Sequence, residues 1–541
     1  MTVARSSLIM ASGTIVSRIL GLVRTVMLAY AIGVTTNAAD AFGVANQLPN
    51  NVYAIIVGGL LNAVLVPQIV RAKVRKDGGQ GYIDGLLTVI ITVFAAITLA
   101  ATLLSPFLVR LYTSGWSEET LALATAFAYW CLPQLFFYGL YSILGEVLNA
   151  RSSFGPFMWA PALNNIVAII GLAVFVSLFG PSADLAWDQS QIALLAGSWS
   201  AGVAAQALIL FVFWKRIGLR FTLNFKLRGL GLRPALKAAS WTLAMLVITQ
   251  IGGLIQTNIT STTLAARTAT TGSFTDGIAS VAVAGTAWLI FMIPHSVGTV
   301  SIATAYFTRM SEHAHAKKFD LLKTDLKKSL RSILAISAIS TAVMAVAAFP
   351  IARVFAFEYR PTVALALVLI AMMVGLIPFS LNFMLQRVFY ALEDTKSPFI
   401  FTTIQIAIFV VGAYICASQV QAMALVFAIS LVMSVSFAVQ ALLAYVLLQR
   451  RIGSLNDLGI FRYGSQVVLA GVLAGVFGYA VLHLIGGVSE NAFAVSSALN
   501  ALISCAAVGG TSIAVYVGAL WMAKNAEVRS VMATVKGIFR R

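Results

Sequence analysis

The sequence predicts an all-α polytopic membrane protein with about fourteen transmembrane helices, two six-helix lobes and a final pair. Three observations predict it. Of 541 residues, 60% are hydrophobic and only 10% charged, against roughly 25% charged in a soluble domain, whose core could not hide so much apolar surface. Apolar runs of about 20 residues recur from Leu8 to near Met522, as required of helices that satisfy their backbone hydrogen bonds inside lipid. The runs are continuous rather than alternating, which excludes a β-barrel.

Taken in order, the runs place spans near 6–33, 42–70, 83–112, 120–149, 157–180, 190–214, 237–263, 278–307, 332–356, 362–391, 398–417, 420–449, 464–486 and 495–522. The first stretch, Ser6 to Ser17, runs into Arg18 without a cleavage motif, so it reads as an uncleaved anchor. Loops after even-numbered spans hold most of the cations: Arg71, Lys73, Arg75 and Lys76, then Lys215 through Lys237, Arg309 through Arg331, and Arg450, Arg451 and Arg462. These loops and both termini are expected on the cytoplasmic side of the membrane. The opposite loops carry Glu118, Glu119, Asp184, Asp188, Asp276 and Glu490, with Arg267 and Arg360 among the few cations. The net charge of +18 therefore answers anionic lipid headgroups, and nucleic acid is not an expected partner. Cys131, Cys416 and Cys505 fall within apolar spans, where they are expected to pack as small hydrophobes rather than as a disulfide framework or a metal site.

An internal repeat sets Ser105-Pro106-Phe107-Leu108-Val109-Arg110 beside Phe349-Pro350-Ile351-Ala352-Arg353, Leu132-Pro133 beside Ile377-Pro378, and Gly155-Pro156-Phe157 beside Ser397-Pro398-Phe399. Spans three to five thus match spans nine to eleven. An offset of six helices gives both copies the same orientation, the pattern of two lobes about an axis along the membrane normal with the substrate path between them. The expected domains are 1–225 and 226–455 for the lobes, 456–523 for two added helices and 524–541 for a basic cytoplasmic tail.

Arg18 and Arg24 lie deep in the first span. Arg18 is about 18 Å from the inner end at 1.5 Å per residue, near the bilayer centre. A cation there costs roughly 2.5–3.5 kcal/mol on insertion scales, so the pair is expected to face water or an anionic substrate; guanidinium suits phosphate oxygens. The alternative is pairing with a buried acid such as Glu146. Span two adds Asn46, Gln47, Asn50 and Asn51 around Pro49, then Gly58, Gly59 and Asn62, a polar stripe that either lines a cavity or glues helices together on a helix expected to bend. Arg387 is expected to join a cytoplasmic ion-pair network with Glu393, Asp394 and Lys396. His295 beside Pro294 is open to cavity lining, packing or proton transfer, and His313 and His315 are expected to face solvent.

No Gly-rich phosphate loop, metal-ligand cluster or nucleophile with a base is present, so no enzyme and no cofactor is expected. Acids are missing between Glu146 and Asp184, Asp188 and Asp276, and Asp394 and Asp457. A carboxylate-based ion site in the second lobe has little to work with, which favours drive by membrane potential or by the substrate gradient.

At these residues the chain resembles the MurJ (MviN) family of lipid II flippases, within the larger group of multidrug and polysaccharide exporters. Ser17-Arg18-Ile19-Leu20-Gly21-Leu22-Val23-Arg24 resembles the family's first-helix signature; Asp40-Ala41-Phe42 through Leu48-Pro49-Asn50, with Val66-Pro67, resembles its second. Leu148-Asn149-Ala150-Arg151, Ala160-Pro161, Asn164-Asn165-Ile166 and Phe389-Tyr390-Ala391-Leu392-Glu393-Asp394-Thr395 continue the match. The resemblance implies alternating access, a central cationic cavity for the pyrophosphate of a polyprenyl-linked cell-wall precursor, and functional roles for Arg18, Arg24 and Asp40. It also implies membrane lipids and cell-wall synthesis or division proteins as partners. Two cavity arginines of many Gram-negative members are replaced, by Tyr53 and Leu289, and a span-two glutamate near Gly58; these departures resemble actinobacterial members. The alternative reading is an exporter of another polyprenyl-linked saccharide or of drugs, for which twelve helices would be usual. A polyprenyl-phosphate transferase would need more acids for metal-assisted chemistry.

Overall fold

The computed structural model describes residues 3–56, 80–151, 153–181, 187–216, 221–225, 232–270, 277–455 and 459–525. Gly58, Gly59, Asn62, the cations from Arg71 to Lys76, Asp184, Asp276 and the tail beyond Asn525 lie outside them. Among the described residues there is no strand. Among the described residues twelve helices are long and apolar enough to cross a membrane, and up to thirteen if one bent pair counts as a span. The second expected span is described only as far as Ile56.

The helices follow the expected runs closely. They are α1 (Val3–Ile32), α2 (Asn37–Ile56), α3 (Gln80–Leu103), α4 (Ser105–Tyr112), α5 (Glu118–Cys131), α6 (Gln134–Ala150), α7 (Phe154–Phe179), α8 (Gln189–Arg216), α9 (Leu232–Ser261) and α10 (Thr263–Thr270). Then come α11 (Val281–Pro294), a π turn His295–Thr299, α12 (Val300–His315), α13 (Phe319–Val346), α14 (Ala348–Phe355), α15 (Tyr359–Met373), α16 (Leu376–Ala391), α17 (Lys396–Gln419), α18 (Ala422–Ile452), α19 (Ile460–Leu484), α20 (Phe493–Ser496) and α21 (Ala498–Met522).

Proline sets the breaks. It lacks the N–H that would continue the helical ladder and its ring clashes with the preceding turn. Span three divides before Pro106 and span four at Pro133, while span ten bends by 46° just before Pro378. Span eight widens into the π turn directly after Pro294. Pro49 is accommodated within the continuous α2. Polar caps fix the starts: Thr36 Oγ1 accepts the Ala39 N–H at α2, and Asp188 and Gln191 bond each other reciprocally at α8. The bonds from Gln191 and Ser190 hold the Asp188 carboxyl below the usual carboxylate range, so this cap is intact at neutral pH and is lost only as acid protonates it.

The chain divides into two compact units, 1–274 and 275–541. In the first, α2 packs on α5, α3 on α6, α4 on α5, α6 on α8 and α7 on α8. In the second, α11 packs on α15, α13 on α16, α14 on α15, α16 on α18 and α17 on α18. The same neighbours recur under the six-span offset that the prolines indicated. The two copies then part: α1 lies along α7, whereas the seventh span, α9, packs against α2 and α4 within the first unit. The final pair, α19 and α21, packs together and against α13.

Several side chains depart from expectation. Arg387 makes no ion pair among the described residues; its guanidinium lies 4.9 Å from the Phe383 ring and 5.6 Å from Phe307, because these aromatics share its side of the packed helices while Asp394 is taken by the backbone N–H groups of Lys396 and Ser397. His313 is not simply solvated, since α13 brings Asp325 within 3.4 Å of it and 3.0 Å of Arg309. Asp325 has 3% side-chain exposure. Asp325→Ala is expected to lower the apparent Tm of the purified chain, at a cost of about 1–2 kcal/mol because Arg309 is solvated; differential scanning fluorimetry measures it. His295 is a packing residue, its Nδ1 3.1 Å from Ser380 Oγ and its ring 4.6 Å from Phe379. The three cysteines are unbonded, with Cys131 buried.

Arg353, the repeat partner of Arg110, does different work. Arg110 reaches Glu118 at 3.0 Å, whereas Arg353 donates to the carbonyls of Val495, Ser496 and Ala356 and so ties α14 to α20. Arg353→Lys loses the planar fork. Its expected result is faster protease cleavage between Gly486 and Ser497, with the rest of the digestion pattern unchanged.

Candidate functional site

Small residues place the first span. A Cβ on Gly13 would stand 2.8 Å from the Trp159 ring, so only glycine lets α1 approach α7 this closely. One turn on, Asn165 Nδ2 donates to the Ser17 carbonyl at 2.8 Å and pins the rotation of α1. Ser17, Gly21 and Arg24 stand at i, i+4 and i+7, hence on one helical face. Arg24 consequently points toward the α7–α8 side, and Arg18, one residue past Ser17, turns off that face with its side chain exposed.

The Arg24 guanidinium lies over the Trp199 ring, with Cζ 4.4 Å from the ring centroid. Its Nε is buried without a hydrogen-bond partner, and among the described residues it makes no ion pair, with Glu146 or any other acid. Tyr138 on α6 lies in the neighbourhood of Arg24 and Asn50. The Tyr138 hydroxyl donates to Gln134 Oε1 at 3.1 Å, Gln134 Nε2 donates to Ser200 Oγ at 2.9 Å, and Ser200 donates to the Trp130 carbonyl at 2.6 Å. The tyrosine proton is thereby committed, and its oxygen is left for donors.

The polar stripe of α2 separates into two uses. Asn46 Oδ1 is buried without a hydrogen-bond partner, and Asn50 is exposed, its amide only 3.5 Å from the Asn46 carbonyl. Asn51 donates to the Tyr112 hydroxyl at 3.0 Å and Gln47 accepts from Thr257 at 3.4 Å, so these two join helices. Asp40 is fully buried in the first turn of α2, where the positive end of the helix dipole favours a carboxylate. The structure thus gathers Arg24, Asn50, Tyr138 and Trp199, sets Arg18 on an exposed face of α1, and places Asn51 in a helix contact.

Trp199 and Tyr138 were not singled out from the sequence. A signal existed for Trp199: it stands among Gly197, Ser198, Ser200, Ala201 and Gly202. It is about 15 Å into α8, away from the interfacial belt where membrane tryptophans usually collect. No comparable mark distinguishes Tyr138 in the aromatic run from Phe136.

A family model described as lipid II flippase MurJ matches residues 28–503. The chain belongs to that family. MurJ proteins are membrane transporters rather than enzymes. The chain is 27% identical over 419 residues to the probable lipid II flippase MurJ of Rhizobium meliloti (strain 1021), covering 73% of this chain and 72% of that one. It is 26% identical over 419 residues to the probable lipid II flippase MurJ of Haemophilus influenzae, covering 71% and 75%. In fold it is similar to a lipid II flippase MurJ in an inward closed conformation, with a TM-score of 0.71 at 20% identity over 95% of this chain and 99% of that one. It is also similar to an inward-facing MATE family multidrug resistance transporter, with a TM-score of 0.57 at 18% identity over 81% and 99%. At the two positions where this MurJ family member departs from its resemblance, Tyr53 bonds Ser142 and its ring lies 5.3 Å from that of Tyr138, tilted by 45°, and Leu289 lies half-buried on α11.

Proposed function

We propose that this chain carries lipid II from the inner to the outer leaflet of the bacterial cytoplasmic membrane by alternating access, with its loops after even-numbered spans and both termini in the cytoplasm. Arg24 receives oxygens of the pyrophosphate, with Arg18 supplying further positive charge at similar depth. The observation that carries this reading is a guanidinium in a membrane span with a buried, unpartnered Nε and no acid on it among the described residues. An uncompensated cation at that depth is costly, and an anionic ligand offsets the cost. Asn50 and the orphaned Asn46 Oδ1 supply an amide donor and an acceptor for polar groups flanking the pyrophosphate, and Asp40 stabilises the start of α2 that presents them.

The two lobes correspond to the two repeats, with α19 and α21 as the added pair. Membrane lipids and proteins of cell-wall synthesis and division complete the expected partners. The similarity to a MATE transporter keeps export of another polyprenyl-linked saccharide or of drugs as the second reading. The deciding experiment expresses this chain in cells depleted of their own flippase and measures lipid II exposed at the outer leaflet. Restored exposure is expected; accumulation of precursor on the inner side despite normal insertion would leave the exporter reading in its place.

A further inference from the structure

We propose that Trp199 is a positioning residue of the transport site, holding the Arg24 guanidinium by its indole face so that the cation's N–H edge stays open for phosphate oxygens. The inference rests on the reading of Arg24 given above.

A cation inside a membrane needs something to hold it. The usual holder, a carboxylate, would occupy the hydrogen-bonding edge of the guanidinium and compete with an incoming anion. An aromatic face attracts the cation through its quadrupole and leaves that edge unoccupied. Arg24 has the second arrangement: its Cζ lies 4.4 Å from the Trp199 centroid, and among the described residues it has no ion pair. The indole is itself fixed. The Phe42 ring meets it edge-on at 5.2 Å, and Phe127 meets Phe42 in the same manner at 5.5 Å. Ser200, next along α8, is a link in the hydrogen-bond chain through Gln134 that orients Tyr138. One short stretch of α8 thereby sets both groups beside Arg24.

A merely space-filling tryptophan would tolerate any side chain of similar volume. A cation-holding one depends on ring electrons, and a guanidinium held in place pays less ordering entropy when the anion arrives. The test uses the purified full-length chain in nanodiscs, with lipid II binding and its competition by inorganic pyrophosphate as readouts. Replacement of Trp199 by fluorinated tryptophans, which keep the shape and drain the ring face, should weaken lipid II binding in step with fluorination. Trp199→Leu should weaken it about tenfold and Trp199→Phe much less. In an Arg24→Ala background, Trp199→Leu should cause no further loss.

Affinity that ignores fluorination, or an equal loss from Trp199→Leu with and without Arg24, overturns the proposal. If the unmodified chain binds lipid II and the fluorinated chains match it, only the positioning role fails. If the unmodified chain binds no lipid II, the functional reading fails and takes this inference with it.

Discussion

Arg24→Ala is expected to insert at wild-type levels and to leave flippase-depleted cells unable to grow. Removing a desolvated, charge-assisted partner of a phosphate costs about 2–5 kcal/mol of binding, which is tens- to thousands-fold in affinity. The folded chain loses little, because the guanidinium has no ion pair among the described residues and its removal leaves no buried acid uncompensated. The apparent Tm is therefore expected to hold steady or rise while transport disappears. That opposite movement separates a ligand-binding arginine from a structural one. Full complementation by Arg24→Ala would refute the role, as would a fall in Tm matching the loss of transport. Arg18→Ala is expected to fail in the same assay.

Gly202→Leu should act through the scaffold instead. A Cβ there would lie 2.6 Å from Asn164 Oδ1 and 2.7 Å from the Asn164 backbone carbonyl. A side-chain oxygen can swing away, but the carbonyl belongs to the α7 ladder and cannot. Helices α7 and α8 would have to separate, a strain of about 1–3 kcal/mol or more. Since α8 carries Trp199 and α7 carries the Asn165 contact to α1, the expected result is lowered yield of folded protein together with lost transport. Gly202→Ala should show the same direction with a smaller drop. Size-exclusion profiles and thermal unfolding in detergent measure both, and a monodisperse, fully stable Gly202→Leu would show that the helix contact is not needed.

Much of the architecture was legible before any coordinates. The matching of Pro350 with Pro106 foretold that α3–α4 and α13–α14 are built alike, whereas the breaks themselves at Pro106, Pro133 and Pro378 emerged only in the structure. What misled were side chains whose neighbours come from distant segments. Arg387 was near acids in sequence and near phenylalanines in space; His313 stood among lysines in sequence and beside Asp325 in space. Asn51 looked equivalent to Asn50 until Tyr112, from α4, claimed its amide.

The sequence by itself determined that this chain is an all-α membrane protein, where its long apolar helices run, and that its proline-marked spans repeat. These follow from requirements local to one helix: every backbone polar group must be satisfied in lipid, and proline cannot satisfy its part. The tertiary structure alone decided which arginine meets an aromatic face and which polar residues are consumed in holding helices together. Those outcomes depend on the rotation of each helix about its axis, which is fixed here by contacts such as Asn165 to Ser17, between residues that the chain keeps far apart.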